Sequence, residues 1–178
     1  MAVKLIVNRL TARQLPRLLR LDYWLQKSCR ELMEKGGDDC DGREEGMIEL
    51  NFVEPAAMRR LNREQRGIDR VTDVLSFSFL GQDKFPGDNL LGQIFIEPET
   101  AKKQAAAHGV SQAEEIQYLF VHGLLHVFGF DHETEADFRR MFGLQARIMP
   151  GPKWEIFADQ IRLEHFGGRG AAGRNRGQ

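Results

Sequence analysis

Short runs rich in β-branched residues alternate along this chain with longer runs whose apolar residues recur at helical spacing. The run VKLIVN (3–8) predicts a first strand. From Thr11 to about Glu34, Leu15, Leu18, Leu19, Leu25 and Leu32 recur near helical spacing, which predicts an amphipathic helix. KGGDDCDGREEG (35–46) has no periodicity and many acids and glycines, so it reads as a solvated loop. MIELNFV (47–53) predicts a second strand. The segment Glu54 to Gln65 after it suits a helix with Pro55 in the first turn, where a missing N–H costs nothing. TDVLSFSF (72–79) alternates apolar and polar residues as a strand with one buried face does. The loop LGQDKFPGDN (80–89) then leads to a fourth strand in LLGQIFIEP.

The second half reads as helical. Pro98 to His108 is one helix. Ser111 and Glu114 form a capping box ahead of an apolar face made by Ile116, Leu119, Phe120 and Val127. Thr134 and Asp137 open a further helix that stops by Pro150. Four strands and about five helices predict a layered α+β or α/β domain spanning residues 1–166, with no internal repeat. The end, GGRGAAGRNRGQ (167–178), has no apolar anchor and is expected to be a disordered tail.

Composition narrows the function classes. A chain of 178 residues with 42% hydrophobic content can bury a core of its own. The net charge is −1, so any nucleic-acid surface has to be a local patch. Cys29 and Cys40 are too few for a disulfide framework or a four-thiolate metal site, and read as reduced thiols. The start, MAVKLIVNRLTARQ, has too short an apolar run for a signal peptide or a membrane span. A cytoplasmic protein with no membrane partner is the expectation.

The segment HGLLHVFGFDH (122–132) carries the candidate chemistry. His122 and His126 are one helical turn apart on the same face. Gly129 stands where the helix would end, because glycine alone reaches the left-handed region at little steric cost, and a turn there can bring His132 back to that face. Three imidazoles spaced H-x-x-x-H-x-x-G-x-x-H predict one zinc ion, since catalytic zinc keeps three protein ligands and an open fourth position. Asp131, Glu133 and the cysteines lack the spacing to close the site as a structural fourth ligand. The pattern resembles metzincin proteases, which place a glutamate after the first histidine as general base. Here that residue is Gly123, and neither Glu115, Asp131 nor Glu133 stands in its place. A metallopeptidase-like hydrolase is therefore the weaker alternative, and phosphodiester hydrolysis suits the equipment better.

RRLNREQRGIDR (59–70) concentrates Arg59, Arg60, Arg63, Arg66 and Arg70. Most such arginines form solvated helical faces, but guanidinium forks match phosphate geometry, so Arg59, Arg60 and Arg63 are candidate RNA contacts. Arg66 precedes Gly67 at a predicted helix end.

LNREQRGIDRVTDVLSF, LLGQIFI and HGLLHVFGFDH, in that order, resemble the YbeY family of bacterial rRNA-maturation endoribonucleases over residues 48–149. The resemblance implies an α+β domain with a four-stranded mixed sheet and one Zn2+ per chain on a helix of the C-terminal half. It implies a hydrolase specific for single-stranded RNA, acting on rRNA precursor and the ribosomal small subunit in 3′-end maturation and quality control, with no role on DNA. It assigns the zinc ligands to His122, His126 and His132 and the essential arginine to Arg66. A non-catalytic ribosome assembly factor with a structural zinc is the alternative from another class. The chain departs from the family pattern at Gln65 (usually tyrosine), at Val71 and Ser78 (usually proline), and at Gln93 (usually aspartate).

Other polar and aromatic residues have ordinary readings. His108 suits a helix C-terminus, and no partner is suggested for His165. Trp24, Trp154 and the phenylalanines read as core or docking contacts rather than base-stacking platforms. Asp73 and Ser76 suit a turn or strand edge, or could orient ligands from a nearby strand.

Overall fold

The computed structural model describes residues 2–8, 20–34, 45–81, 89–151 and 154. The first half of the predicted Thr11–Glu34 helix, most of the loops at 35–46 and 80–89, Cys40, His165 and the tail at 167–178 lie outside the described residues. The chain divides into two compact units, Met1–Gly129 and Phe130–Gln178.

The first unit runs β1 (Ala2–Asn8), α1 (Leu21–Glu34), β2 (Glu45–Phe52), α2 (Pro55–Arg66), β3 (Val74–Ser78), β4 (Leu90–Ile96), α3 (Pro98–His108) and α4 (Gln112–Val127). The strands form one sheet in the order β1-β2-β4-β3. β1 pairs parallel with β2, β2 parallel with β4, and β3 antiparallel with β4. With α5 of the second unit (Glu135–Ile148), the described residues hold four strands in a mixed sheet and five helices, an α+β fold.

Side-chain alternation explains the layering. Ile48, Leu50 and Phe52 of β2 and Ile94 and Ile96 of β4 are buried, while the intervening Glu49, Asn51, Gln93 and Phe95 keep partial exposure. α4 packs on the buried face. At Gly92 of β4, an added β-carbon would meet Val127 Cγ1 at 2.5 Å, so only glycine lets helix and strand approach this closely. Ser78 Oγ donates to the Val127 carbonyl at 2.7 Å on the same side. The expected single buried face of β3 is realised only in part: Leu75 is its one buried residue, because β3 is an edge strand with a neighbour on one side.

The helix ends follow their local chemistry. Ser111 Oγ accepts from the Glu114 amide while Glu114 Oε2 accepts from the Ser111 amide, the reciprocal pair of a capping box. Glu97 caps α3 by accepting from the amides of Glu99 and Thr100. α2 closes on Gly67, whose φ of +71° is the left-handed cap that glycine favours. α1 differs from its expectation, since Arg20 at φ +48° breaks any continuous helix into Leu21. From there Leu21, Leu25, Cys29 and Leu32 form its buried face.

In the second unit Thr134 Oγ1 accepts from the Asp137 amide at 3.1 Å, and α5 follows as its cap predicts. Phe138, Met141, Phe142, Gln145 and Ile148 recur on one buried face. The Phe138 and Phe142 rings stack at 4.0 Å. The helix ends at Ile148, two residues before Pro150, which cannot continue it. No helix among the described residues is long and apolar enough to cross a membrane.

Candidate metal centre

α4 is buried almost throughout. Between Tyr118 and Phe128 every residue is buried except His122 and His126. A buried stretch of helix that leaves only two imidazoles partly exposed has the form of a ligand-bearing element. Their Nε2 atoms face each other at 3.2 Å across one turn. If both bound one zinc ion at ~2.05 Å, that separation would subtend about 103° at the metal, close to tetrahedral. Gly129 follows in the left-handed region, at φ +81°, and its amide bonds back to the His126 carbonyl. The expected turn is therefore present.

His132 lies three residues further on. It offers a third imidazole nitrogen, and the ligand atoms of His122, His126 and His132 all lie within 4.8 Å of one another. This three-histidine cluster could bind a metal ion. Three neutral nitrogens without a carboxylate suit zinc and the neighbouring first-row ions rather than magnesium or calcium. The Asp131 carboxylate accepts from the His132 amide at 2.7 Å and so fixes the local backbone. Rings also hold the ligands: Tyr118 stacks on His122 at 6.2 Å and 12°, and Phe142 meets His132 edge-on at 6.0 Å. The sequence contains both aromatic residues but no spacing signal that pairs them with histidines.

The position after the first histidine has a packing explanation. Gly123 faces the sheet, and a β-carbon there would lie 3.0 Å from Ile94 Cγ2 and 3.4 Å from Val74 Cγ2. The β-carbon of a protease-type glutamate at this position would have to enter the helix–sheet interface. The absence of a general base at 123 is thus built into the fold.

α2 carries the arginines. Arg59 grips Asp69 through both Nε and Nη2, at 2.9 and 2.7 Å, and Arg63 Nη1 lies 3.8 Å from the same carboxylate. The hydrogen bond from Arg59 holds the Asp69 carboxyl below its usual range. Arg60, Arg66 and Arg70 are exposed and form no ion pair among the described residues. Arg66 is the last residue of α2, directly before the Gly67 cap.

Asp73 has a structural role at the entry to β3. Its carboxylate accepts from the Thr72 hydroxyl, the Val74 amide and Gln104 Nε2. His108, at the end of α3, meets the fully buried Glu115 of α4 at 3.0 Å. Burial pushes the Glu115 carboxyl up, and the bond from His108 opposes that shift. Cys29 is buried on the inner face of α1.

Residues 17–151 match the protein family described as Endoribonuclease YbeY. The chain is 42% identical over 116 residues to Endoribonuclease YbeY of Moorella thermoacetica, covering 60% of this chain and 73% of that protein. It is 37% identical over 130 residues to Endoribonuclease YbeY of Bacillus cytotoxicus, covering 67% and 81%. With Endoribonuclease YbeY of Limosilactobacillus fermentum it shares 38% identity over 140 residues, covering 71% and 89%. The solution structure of TM1509 from Thermotoga maritima shares the fold, with a TM-score of 0.52 over 99% of both chains at 19% identity.

Proposed function

Because this chain belongs to the Endoribonuclease YbeY family, we propose that it is a zinc-dependent endoribonuclease that hydrolyses single-stranded RNA, acting on rRNA precursor at the small-subunit 3′ end and in ribosome quality control in the cytoplasm. The observation that carries this reading is the facing pair His122 and His126, the two half-buried positions on an otherwise buried stretch of helix, with His132 offering the third nitrogen. A zinc ion held by these three side chains would supply Lewis-acid polarisation of a phosphoryl oxygen and a water of lowered pKa.

The protein's own contributions follow from its side chains. The three imidazoles must be neutral to offer their lone pairs, so acid releases the metal. Arg66, exposed and unpaired with any described acid, would meet a phosphate with a planar fork. Its guanidinium would neutralise charge developing on the non-bridging oxygens as the phosphorane forms. Arg60 would anchor a neighbouring phosphate, whereas Arg59 and Arg63 must first share their charge with Asp69. Gly123 leaves peptide hydrolysis without its usual base, which favours a phosphodiester substrate.

The test is incubation of the metal-loaded chain with precursor rRNA, followed by mapping of the product ends. A discrete small-subunit cut supports the reading; intact RNA under these conditions overturns it. A 2′,3′-cyclic phosphate would identify the RNA 2′-hydroxyl as the attacking group, and linear ends would be consistent with water.

A further inference from the structure

On the first unit, Leu61 and Gln65 of α2, Ser76 to Phe79 at β3 and its end, and Gln93 and Phe95 of β4 line an open groove of about 490 Å³. Its size falls in the range of small-molecule sites. Phe77, Phe79 and Phe95 are only half-buried there. Phe77 and Phe95 meet edge-to-face at 5.7 Å and 74°, so they form a stepped aromatic wall.

The polar lining is directional. Gln93 Nε2 donates to Glu49 Oε2 at 2.7 Å. A carboxylate can only accept, so this bond fixes the amide with its nitrogen towards Glu49 and leaves its carbonyl oxygen as an oriented acceptor. Gln65 adds a second amide from the exposed end of α2, immediately before Arg66. Three of the positions that depart from the family pattern, Gln65, Ser78 and Gln93, thus lie around this one groove.

We propose that this groove is a nucleobase subsite, which takes one unpaired base of the RNA against Phe77 and Phe95 and reads its edge with Gln93 and Gln65. The proposal rests on the endoribonuclease reading above and adds where substrate selectivity resides. Unpaired bases are held by aromatic stacking and by hydrogen bonds to their exposed edges. Amides serve the second purpose because each carries both donors and an acceptor. The charge pattern agrees: the Glu49 carboxylate is engaged by Gln93, and Arg66 follows Gln65 with a cation that forms no ion pair among the described residues.

The test uses the metal-loaded full chain on single-stranded oligoribonucleotides randomised around the cut, with product ends sequenced and KM and kcat measured on a preferred member. The parent should show a base preference at one fixed offset from the cleaved bond, and Gln93→Leu should flatten it. Phe77→Leu and Gln65→Ala should raise KM about tenfold, within the range for loss of one base contact, with a smaller change in kcat. Gln65 is exposed on a helix, so its variant reports even if Phe77→Leu fails to fold. Cleavage by the parent with KM and base preference unchanged in all three variants overturns the groove alone. A parent that cleaves none of these RNAs overturns the endoribonuclease reading and the groove with it.

Discussion

The backbone of Gly123 passes so close to Ile94 that a β-carbon on it would lie 3.0 Å from Ile94 Cγ2. Helix α4 and strand β4 are therefore in contact directly beside the first histidine. Restoring the protease-type residue, Gly123→Glu, should not create a peptidase. It should instead force a carboxylate into a packed interface and cost at least ~2 kcal/mol, lowering the unfolding midpoint by about 5 °C or more. Thermal unfolding beside a casein-hydrolysis assay checks this, and an unchanged midpoint would show that the interface can open.

Arg66→Ala should retain metal, fold and most RNA affinity while single-turnover cleavage falls ~10²–10³-fold, the usual loss when one donor to a developing oxyanion is removed. Arg66→Lys should rescue poorly, since a point charge cannot reproduce the planar fork. Cleavage at the parental rate would reduce Arg66 to a structural helix-end residue.

The arginines of α2 should contribute unequally to RNA binding. Arg60→Gln removes a charge that forms no ion pair among the described residues, whereas Arg59→Gln also releases Asp69 from its bidentate bond. Binding measured across a salt series should show the shallower slope for Arg60→Gln. Equal slopes for the parent and both variants would make this helix face a solvated surface.

Burial raises the folded-state pKa of Glu115 above its ordinary value of 4.5. The folded chain thus holds that proton more tightly than the unfolded chain. The stabilisation is complete below the unfolded pKa and is lost as pH rises through the folded one. Glu115→Gln removes this loss while keeping an acceptor for His108. The stability of the variant relative to the parent should accordingly increase as pH rises from about 4, and denaturant midpoints over pH 4–7 measure it. A pH-independent difference would mean that Glu115 titrates alike in both states.

The features legible in the sequence were those whose cause is local. The Ser111–Glu114 box, the Thr134 cap, the proline that opens α3 and the glycine that closes α2 act within one turn of the chain, so short patterns place them. The four-residue spacing of His122 and His126 belongs to the same class. Features set by pairing between distant segments were not legible. β4 inserts between β2 and β3, a choice made by register and burial rather than by any strand's own residues. Asp69 neutralises Arg59 from ten residues away, across a turn. Gly123 read as a missing base, and only the approach of Ile94 explains why the position is glycine.

The most direct test of the account is RNA cleavage followed as the metal is removed and returned. The parent chain, stripped by a chelator, should lose cleavage of single-stranded RNA while keeping its helical circular-dichroism signal, and one equivalent of zinc should restore turnover. His126→Ala should bind zinc far more weakly and remain inactive when zinc is added, because two imidazoles cannot complete the site. Undiminished cleavage by protein shown by elemental analysis to be metal-free, or by His126→Ala, would contradict a reaction built on His122, His126 and His132.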